Sequence, residues 1–262
     1  MLRLVINMNG SNDRLESITR QLNAMSVDFE RIEAVDGRLL PEEQIRQMQS
    51  PINDFKSKVR YTRLLNAGEI GCFLSHKKCW KRLLDSEEKW ALIMEDDIRI
   101  SSKAKSYLQS DDWIPADVKI CQLSMINYER AKESIIAPEI LKIDQTLSLV
   151  QPKFPTPVGT QAYIVSRDVV PYLLDSSETM ICPVDDFLFS PWFEIAPKFK
   201  IWRTSPLLVL ESPRFSSNIG DRKKKVQKAP FWIRKSPQRF YLSYKIRKEQ
   251  KRGNKFSFEF FE

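Results

Sequence analysis

Apolar positions near the start of the chain come in short blocks separated by polar turns. Residues 3–8 (RLVINM) read as a first buried strand, followed by a polar loop over 9–13 and an amphipathic helix through about Met25. Residues 29–35 (FERIEAV) read as a second strand ending in Asp36 and Gly37, a turn signal. Strand, helix and strand in that order predict a βαβ unit and a parallel sheet. A short helix is expected over 41–49, and 50–61 has too little periodicity for anything but a surface excursion. The clearest helix follows: Asn66 fits its N-cap and Glu69, three residues on, fits a capping box. Cys72, Phe73, His76, Trp80 and Leu83 then fall on one stripe at helical spacing. After a charged turn over 85–89, residues 90–94 (WALIM) form an apolar run too short for a helix. It reads as a central strand that ends abruptly in Glu95, Asp96 and Asp97. Further strands are expected at 118–123 and 161–165, a helix over 166–174, and a strand over 201–210 broken by Pro206. Pro155 and Pro157 mark an ordered loop, and no internal repeat is visible.

Composition then narrows the class. With 262 residues, 42% hydrophobic and 11% aromatic, the chain is long and apolar enough to bury one large core. Seven glycines against 15 prolines exclude a collagen-like or linker-dominated chain. The opening MLRLVINMNGSNDR meets polar residues too soon for a secretory signal. No window approaches the roughly 18 apolar residues of a membrane span, so a cytoplasmic protein is expected. Cys72, Cys79, Cys121 and Cys182 form no C-x-x-C pair and His76 is the only histidine. The sequence therefore offers no clustered ligands for structural zinc, and the thiols are expected to be reduced and mostly buried. Charge is uneven: from Pro213 onward there are 15 Lys and Arg against 4 Asp and Glu, within a net charge of +8. A nearly neutral body with a strongly basic end calls for a polyanionic partner or surface.

The three acids after the apolar strand are the strongest chemical signal. Ligands of open α/β sheets bind outside the carboxyl ends of the strands, so acids there face a crevice. Mg²⁺ or Mn²⁺ is commonly held by one or two carboxylates plus substrate phosphates, and a departing diphosphate needs such charge. A solvated acidic turn is the alternative. His76 fits a hydrogen-bonded core histidine as readily as a ligand, and Glu69 has enough to do in closing its capping box.

The stretch NAGEIGCFLSHKKCW (66–80) followed by WALIMEDD (90–97) resembles glycosyltransferase family 25. That family includes lipooligosaccharide galactosyltransferases of Gram-negative bacteria and is related to collagen galactosyltransferases. VINM…DR (5–14), FERIEAVDG (29–37), GTQAYIVS (159–166) and PVDD (183–186) also match, in the family's order, so the resemblance runs from about Leu4 to Ile219. It implies an α/β GT-A fold, Rossmann-like and nucleotide-sugar-binding, over 1–221, with a basic, partly helical C-terminal extension over 222–262. It also implies inverting transfer of a hexose, galactose rather than glucose, from a UDP-sugar to a lipid-linked oligosaccharide, using Mn²⁺ or Mg²⁺. Asp97 would be the principal metal ligand. Glu95, which stands where the acidic motif of GT-A enzymes begins, would face the ribose or a metal-bound water, with Asp96 between them at the donor site. His76 and Glu69 would lie on the helix behind that donor site.

Inverting transfer needs a base opposite the leaving diphosphate. Asp185 and Asp186 are the candidates, because Pro183 suits a first helical turn and would set both acids beside the crevice; complementing the helix dipole is their other reading. Arg14 is assigned to phosphate and Asp36 to the uracil N–H, with ordinary surface charge as the alternative for each. Ser217 and Asn218 resemble a family segment near the donor phosphates. The basic end over 222–255 interleaves charge with Phe231, Trp232, Phe240, Tyr241 and Tyr244, and 239–251 can be drawn as a helix with an interfacial face. A lipid-linked acceptor favours peripheral attachment to the anionic inner-membrane face of a Gram-negative bacterium over binding of nucleic acid. Two rival classes are a basic nucleic-acid-binding module with an incidental acidic cluster, and a non-catalytic scaffold on the same fold.

Overall fold

The computed structural model describes residues 1–50, 64–125, 128, 133–152, 159–190, 193–215, 248 and 254–260. In chain order the first half consists of β1 (Leu2–Asn7), α1 (Asn12–Ala24), β2 (Glu30–Glu33), α2 (Glu42–Gln47), α3 (Ala67–Leu84), β3 (Trp90–Glu95), β4 (Ile98–Ile100) and α4 (Lys105–Gln109). The second half adds β5 (Ile120–Gln122), β6 (Ser124–Met125), β7 (Glu133–Lys142), β8 (Ser148–Pro152), β9 (Ala162–Ser166), α5 (Val170–Ser176), α6 (Val184–Phe189) and α7 (Ile195–Phe199). It closes with β10 (Trp202–Ser205), β11 (Val209–Glu211) and β12 (Asn254–Ser257).

Alternation along β1 and β3 decides the layering. Successive strand residues face opposite sides of a sheet. Leu4, Ile6, Ala91 and Ile93 join one buried cluster with Ile70, Phe73, Trp80 and Leu83 of α3. Val5, Leu92 and Met94 join a second cluster with Ile18 and Leu22 of α1. Both faces of these strands are therefore covered, which is why β3 reads as an unbroken apolar run instead of an alternating one. The expected capping box is present: Asn66 Oδ1 accepts from the Glu69 backbone N–H at 2.8 Å, and Glu69 Oε2 accepts from the Asn66 N–H at 3.0 Å. Such a cap contributes about 1 kcal/mol and pins the first turn of α3.

The main sheet has the order β12-β7-β8-β10-β5-β9-β3-β1-β2, and β4-β11-β6 form a second, three-stranded sheet. The expected βαβ unit is β1-α1-β2, with β2 and β3 parallel to β1 on either side. The sheet as a whole is not parallel. β9 runs antiparallel to β3 and β5, and β7, β8 and β12 are also antiparallel to their neighbours. A mixed α/β architecture results, in which the parallel strands β2, β1 and β3 continue into a largely antiparallel half.

The strand expected over 201–210 is two strands in two sheets, β10 and β11, divided at Pro206. Proline donates no ladder hydrogen bond, so it suits the point where the chain changes sheets. All of the excursion at 50–61 but Ser50, the loop at Pro155 and Pro157, and most of 222–262 lie outside the described residues. The end of that basic stretch returns to the body: β12 pairs with β7, and Phe258 is buried against Met125, Ile136 and Leu207. The described cysteines are free thiols, three buried and Cys72 half-buried. No helix among the described residues is long and apolar enough to cross a membrane.

Candidate active site

Chain direction reverses at β1. The connection to β2 passes over one face of the sheet through α1, and the return to β3 passes over the other through α3. A crevice is expected at the carboxyl ends of strands beside such a switch, and a cavity of about 200 Å³ lies there. Its walls are Ile6 and Met8 at the end of β1, residues 34–38 after β2, Gly68, Cys72, Ser75 and His76 of α3, and the acids at 95–97. The loop after β2 is clamped onto α3 by two glycines in backbone contact: a Cβ on Gly71 would stand 2.4 Å from the Val35 carbonyl oxygen and 2.6 Å from the Gly37 nitrogen. Ser75 fastens the same contact, accepting from the Val35 N–H at 2.9 Å and donating to the Gly71 carbonyl at 2.7 Å.

The three acids have three different surroundings. Asp96 is buried and held: its Oδ2 accepts from Asn7 Nδ2 at 2.7 Å and its Oδ1 from Arg14 Nη1 at 3.0 Å. Burial raises its pKa above the usual carboxylate range, with Asn7 and Arg14 opposing. Asp97 has Oδ2 at 3.3 Å from the same Arg14 nitrogen, while its Oδ1 is buried with no hydrogen-bond partner. Burial, reinforced by the Glu95 charge and opposed by Arg14, pushes Asp97 up to about 7. For Glu95 burial also acts upward, but the interaction with His76, the Thr160 hydroxyl at 2.6 Å and the Arg14 charge together bring it below its ordinary value. Neighbouring carboxyls pushed apart in this way are a mark of a functional site.

His76 stands behind the acids. Its Nδ1 is 3.0 Å from the Tyr163 hydroxyl, which also accepts from Trp80 Nε1 at 2.9 Å. Its Nε2 is buried without a hydrogen-bond partner and lies 3.6 Å from Glu95 Oε1. The half-buried Cys72 sits one helical turn before it. Burial, followed by the charges of Glu95, Asp185, Asp97 and Glu69, pushes this thiol well above its ordinary range. The sulfur of Cys72, a ring nitrogen of His76 and a Glu95 oxygen lie within 4.8 Å of one another. The fold brings a strand end to a C-x-x-x-H helix face, a grouping that spacing along the sequence does not show.

Other site residues fall at different distances from the cavity. Arg14 and Asp36 line it. Arg14 is engaged with Asp96 and Asp97, and its guanidinium is 5.4 Å from the Phe215 ring. Asp36 caps a short 3₁₀ turn and accepts from Arg38 at 2.6 Å, which, chiefly through the side-chain hydrogen bond, lowers its pKa. Glu69 is buried in its capping box and does not reach the cavity wall. Asp185 and Asp186 occupy the first turn of α6, half-buried and outside the wall. Asp185 is nonetheless near enough for its charge to act on Cys72. Ser217 and Asn218 lie outside the described residues. Asn7, Cys72, Thr160 and Tyr163 were not singled out as site residues from the sequence, although each lies within a stretch that carries the family resemblance.

The family model for glycosyltransferase family 25 (LPS biosynthesis protein) matches residues 1–188, well over half of the chain. The chain belongs to glycosyltransferase family 25. A family relative, human procollagen galactosyltransferase 2, is 28% identical over 187 residues, covering 70% of this chain and 29% of its own length. The chain thus spans less than a third of the procollagen relatives it matches. The lacto-N-neotetraose biosynthesis glycosyltransferase LgtE of Neisseria meningitidis serogroup B is 22% identical over 224 residues, covering 82% of this chain and 76% of its own. Among solved structures, a glycosyltransferase involved in glycosylation of the major capsid of PBCV-1 aligns with a TM-score of 0.41 at 9% identity, over 82% of this chain and 95% of that one. A likeness that slight bears on no functional point. Family 25 membership places the acid-lined crevice in a lineage of sugar transferases.

Proposed function

We propose that this chain transfers a hexose, galactose before glucose, from a UDP-sugar to a lipooligosaccharide or lipopolysaccharide acceptor with inversion to a β-glycoside. One observation carries the reading most of the way: Asp97 presents a buried, unpartnered carboxylate oxygen at the switch-point crevice of a family 25 chain. Such an oxygen is costly to bury and is stabilised by a hard cation. The donor set fits Mn²⁺ or Mg²⁺, with Asp97 as principal ligand and Glu95 beside it. When bound, the ion would neutralise charge growing on the departing diphosphate.

The chain's own residues account for the rest. Asp96, tied to Asn7 and Arg14, holds the acidic turn in place. Arg14 sets positive charge on the cavity wall, where a diphosphate brings negative charge. Asp36 and the loop clamped by Gly37 and Gly71 form the side suited to a base and ribose. Asp185 is the proposed general base, taking the proton from the acceptor hydroxyl as it attacks; its charge already acts across to Cys72 in the wall. The basic stretch beyond Pro213 is proposed to hold the enzyme to the cytoplasmic face of a Gram-negative inner membrane, where a lipid-linked acceptor is presented.

The deciding experiment is a panel of UDP-sugars with and without Mn²⁺ or Mg²⁺, followed by melting temperature and UDP release. A ligand that binds the native state alone raises Tm. Metal-dependent stabilisation by UDP-galactose together with UDP release is expected. Stabilisation by no UDP-sugar, with either metal, refutes the proposal, and preference for UDP-glucose refutes the galactose assignment.

A further inference from the structure

Cys72 and His76 are one turn apart on α3, so both side chains leave the helix on the same face. Glu95 reaches that face from the end of β3. The three donor atoms are a thiol sulfur, an imidazole nitrogen and a carboxylate oxygen, all within 4.8 Å. A tetrahedral ion with bonds of about 2.0–2.3 Å sets its ligand atoms roughly 3.4–3.7 Å apart. The His76 Nε2 to Glu95 Oε1 separation of 3.6 Å already has that value. The remaining spread is about the movement that a Cys χ1 or carboxyl rotation supplies.

Two further observations point to a ligand. His76 is 1% exposed and its Nε2 has no hydrogen-bond partner, its nearest charge being Glu95 Oε1 at 3.6 Å. Buried polar atoms left in that state call for an occupant. On the other side of the ring the Tyr163 hydroxyl stands 3.0 Å from Nδ1 and is itself held by Trp80. Metal-binding histidines typically have such an outer partner, which fixes the ring and its tautomer. The acids at 95–97 line the same cavity wall, and their charge attracts a dication.

We propose that Cys72, His76 and Glu95 form a three-ligand site for a thiophilic divalent cation of the zinc class, opening to the donor cavity at its fourth position. The site shares Glu95 with the hard-oxygen position at Asp97 but differs from it in chemistry, since sulfur and imidazole select Zn²⁺ or Co²⁺ over Mg²⁺. The Cys72 thiol loses its proton to solvent as the metal–sulfur bond forms, so affinity rises with pH. It stands independently of the transferase reading.

Co²⁺ titration of the intact chain is the test, read as the thiolate-to-cobalt charge-transfer band and competed with Zn²⁺. The band should appear in the parent protein and in Asp97→Asn, and be absent from Cys72→Ser and Cys72→Ala. The other described cysteines are buried. Zn²⁺ affinity should fall in Cys72→Ser by more than the roughly 10- to 100-fold that loss of an outer partner costs. Melting curves without metal establish that each variant is folded. No band in the parent protein, a band that survives in both Cys72 variants, or its loss in folded Asp97→Asn would overturn the proposal. A chain that binds Co²⁺ through Cys72 yet stabilises no UDP-sugar keeps this inference and loses the transferase one.

Discussion

Asp97→Asn separates stability from function in a way the pKa of this acid makes quantitative. The carboxyl titrates at about 7 in the folded chain against 3.8 when exposed, with burial as the main cause. Its side chain is 15% exposed, so solvent screens it little. An acid raised on folding keeps its proton longer in the native state, so the unfolded chain ionises first as pH climbs past about 4. Wild-type stability therefore declines between about pH 4 and pH 7, then levels once both states are ionised. At about 1.36 kcal/mol per unit, the two units from pH 5 to pH 7 correspond to roughly 3 kcal/mol. Asparagine cannot titrate, and its fixed effects on packing and on Arg14 are the same at every pH. In metal-free urea denaturation, the stability of Asp97→Asn relative to wild type should rise by about 2 to 3 kcal/mol between pH 5 and pH 8. Adding Mn²⁺ at pH 8 should close part of that gap by stabilising wild type alone, while the variant loses metal-dependent turnover. A gap that does not change with pH would show that Asp97 is not held near neutrality, and the argument for its buried oxygen as a metal ligand would fall with it.

Three other outcomes are expected. Gly71→Ala drives a methyl group into the Val35 and Gly37 backbone, so urea denaturation should register a loss of about 1 to 3 kcal/mol, with weaker UDP-sugar binding as the loop carrying Asp36 shifts; an unchanged midpoint would refute the clamp. Asp185→Asn should lower kcat by about 10² to 10⁴ with donor affinity retained, whereas Asp186→Asn should do less; a loss confined to donor affinity would move Asp185 to the sugar or metal. Replacing Lys223, Lys224 and Lys225 by Gln should weaken binding to anionic vesicles by roughly 100-fold at about 1 kcal/mol each; equal binding refutes the tether. Substitution is preferable to truncation there, because cutting the tail also removes β12 and the buried Phe258.

The features legible in the sequence are those whose physics is local. A capping box spans four residues and forms wherever its helix begins, so Asn66 and Glu69 could be read directly. The run at 90–94 announced a strand covered on both faces, and three acids at its end announced a crevice. Strands β7, β8 and β12 were not visible, because β7 carries a proline and mixed polarity that gain a meaning only from their neighbours across the sheet. The same holds for the pairing of charges. Arg14 was assigned to phosphate from its position, and only the fold sets it against Asp96, 82 residues away. His76 could be placed on an apolar stripe, but which atoms face it depends on Tyr163 and Glu95, carried by separate strands. Periodicity and caps are settled within a few residues by backbone geometry and burial. The surroundings of a titratable group are settled by whatever chain packs against it, and that contact belongs to the tertiary structure alone.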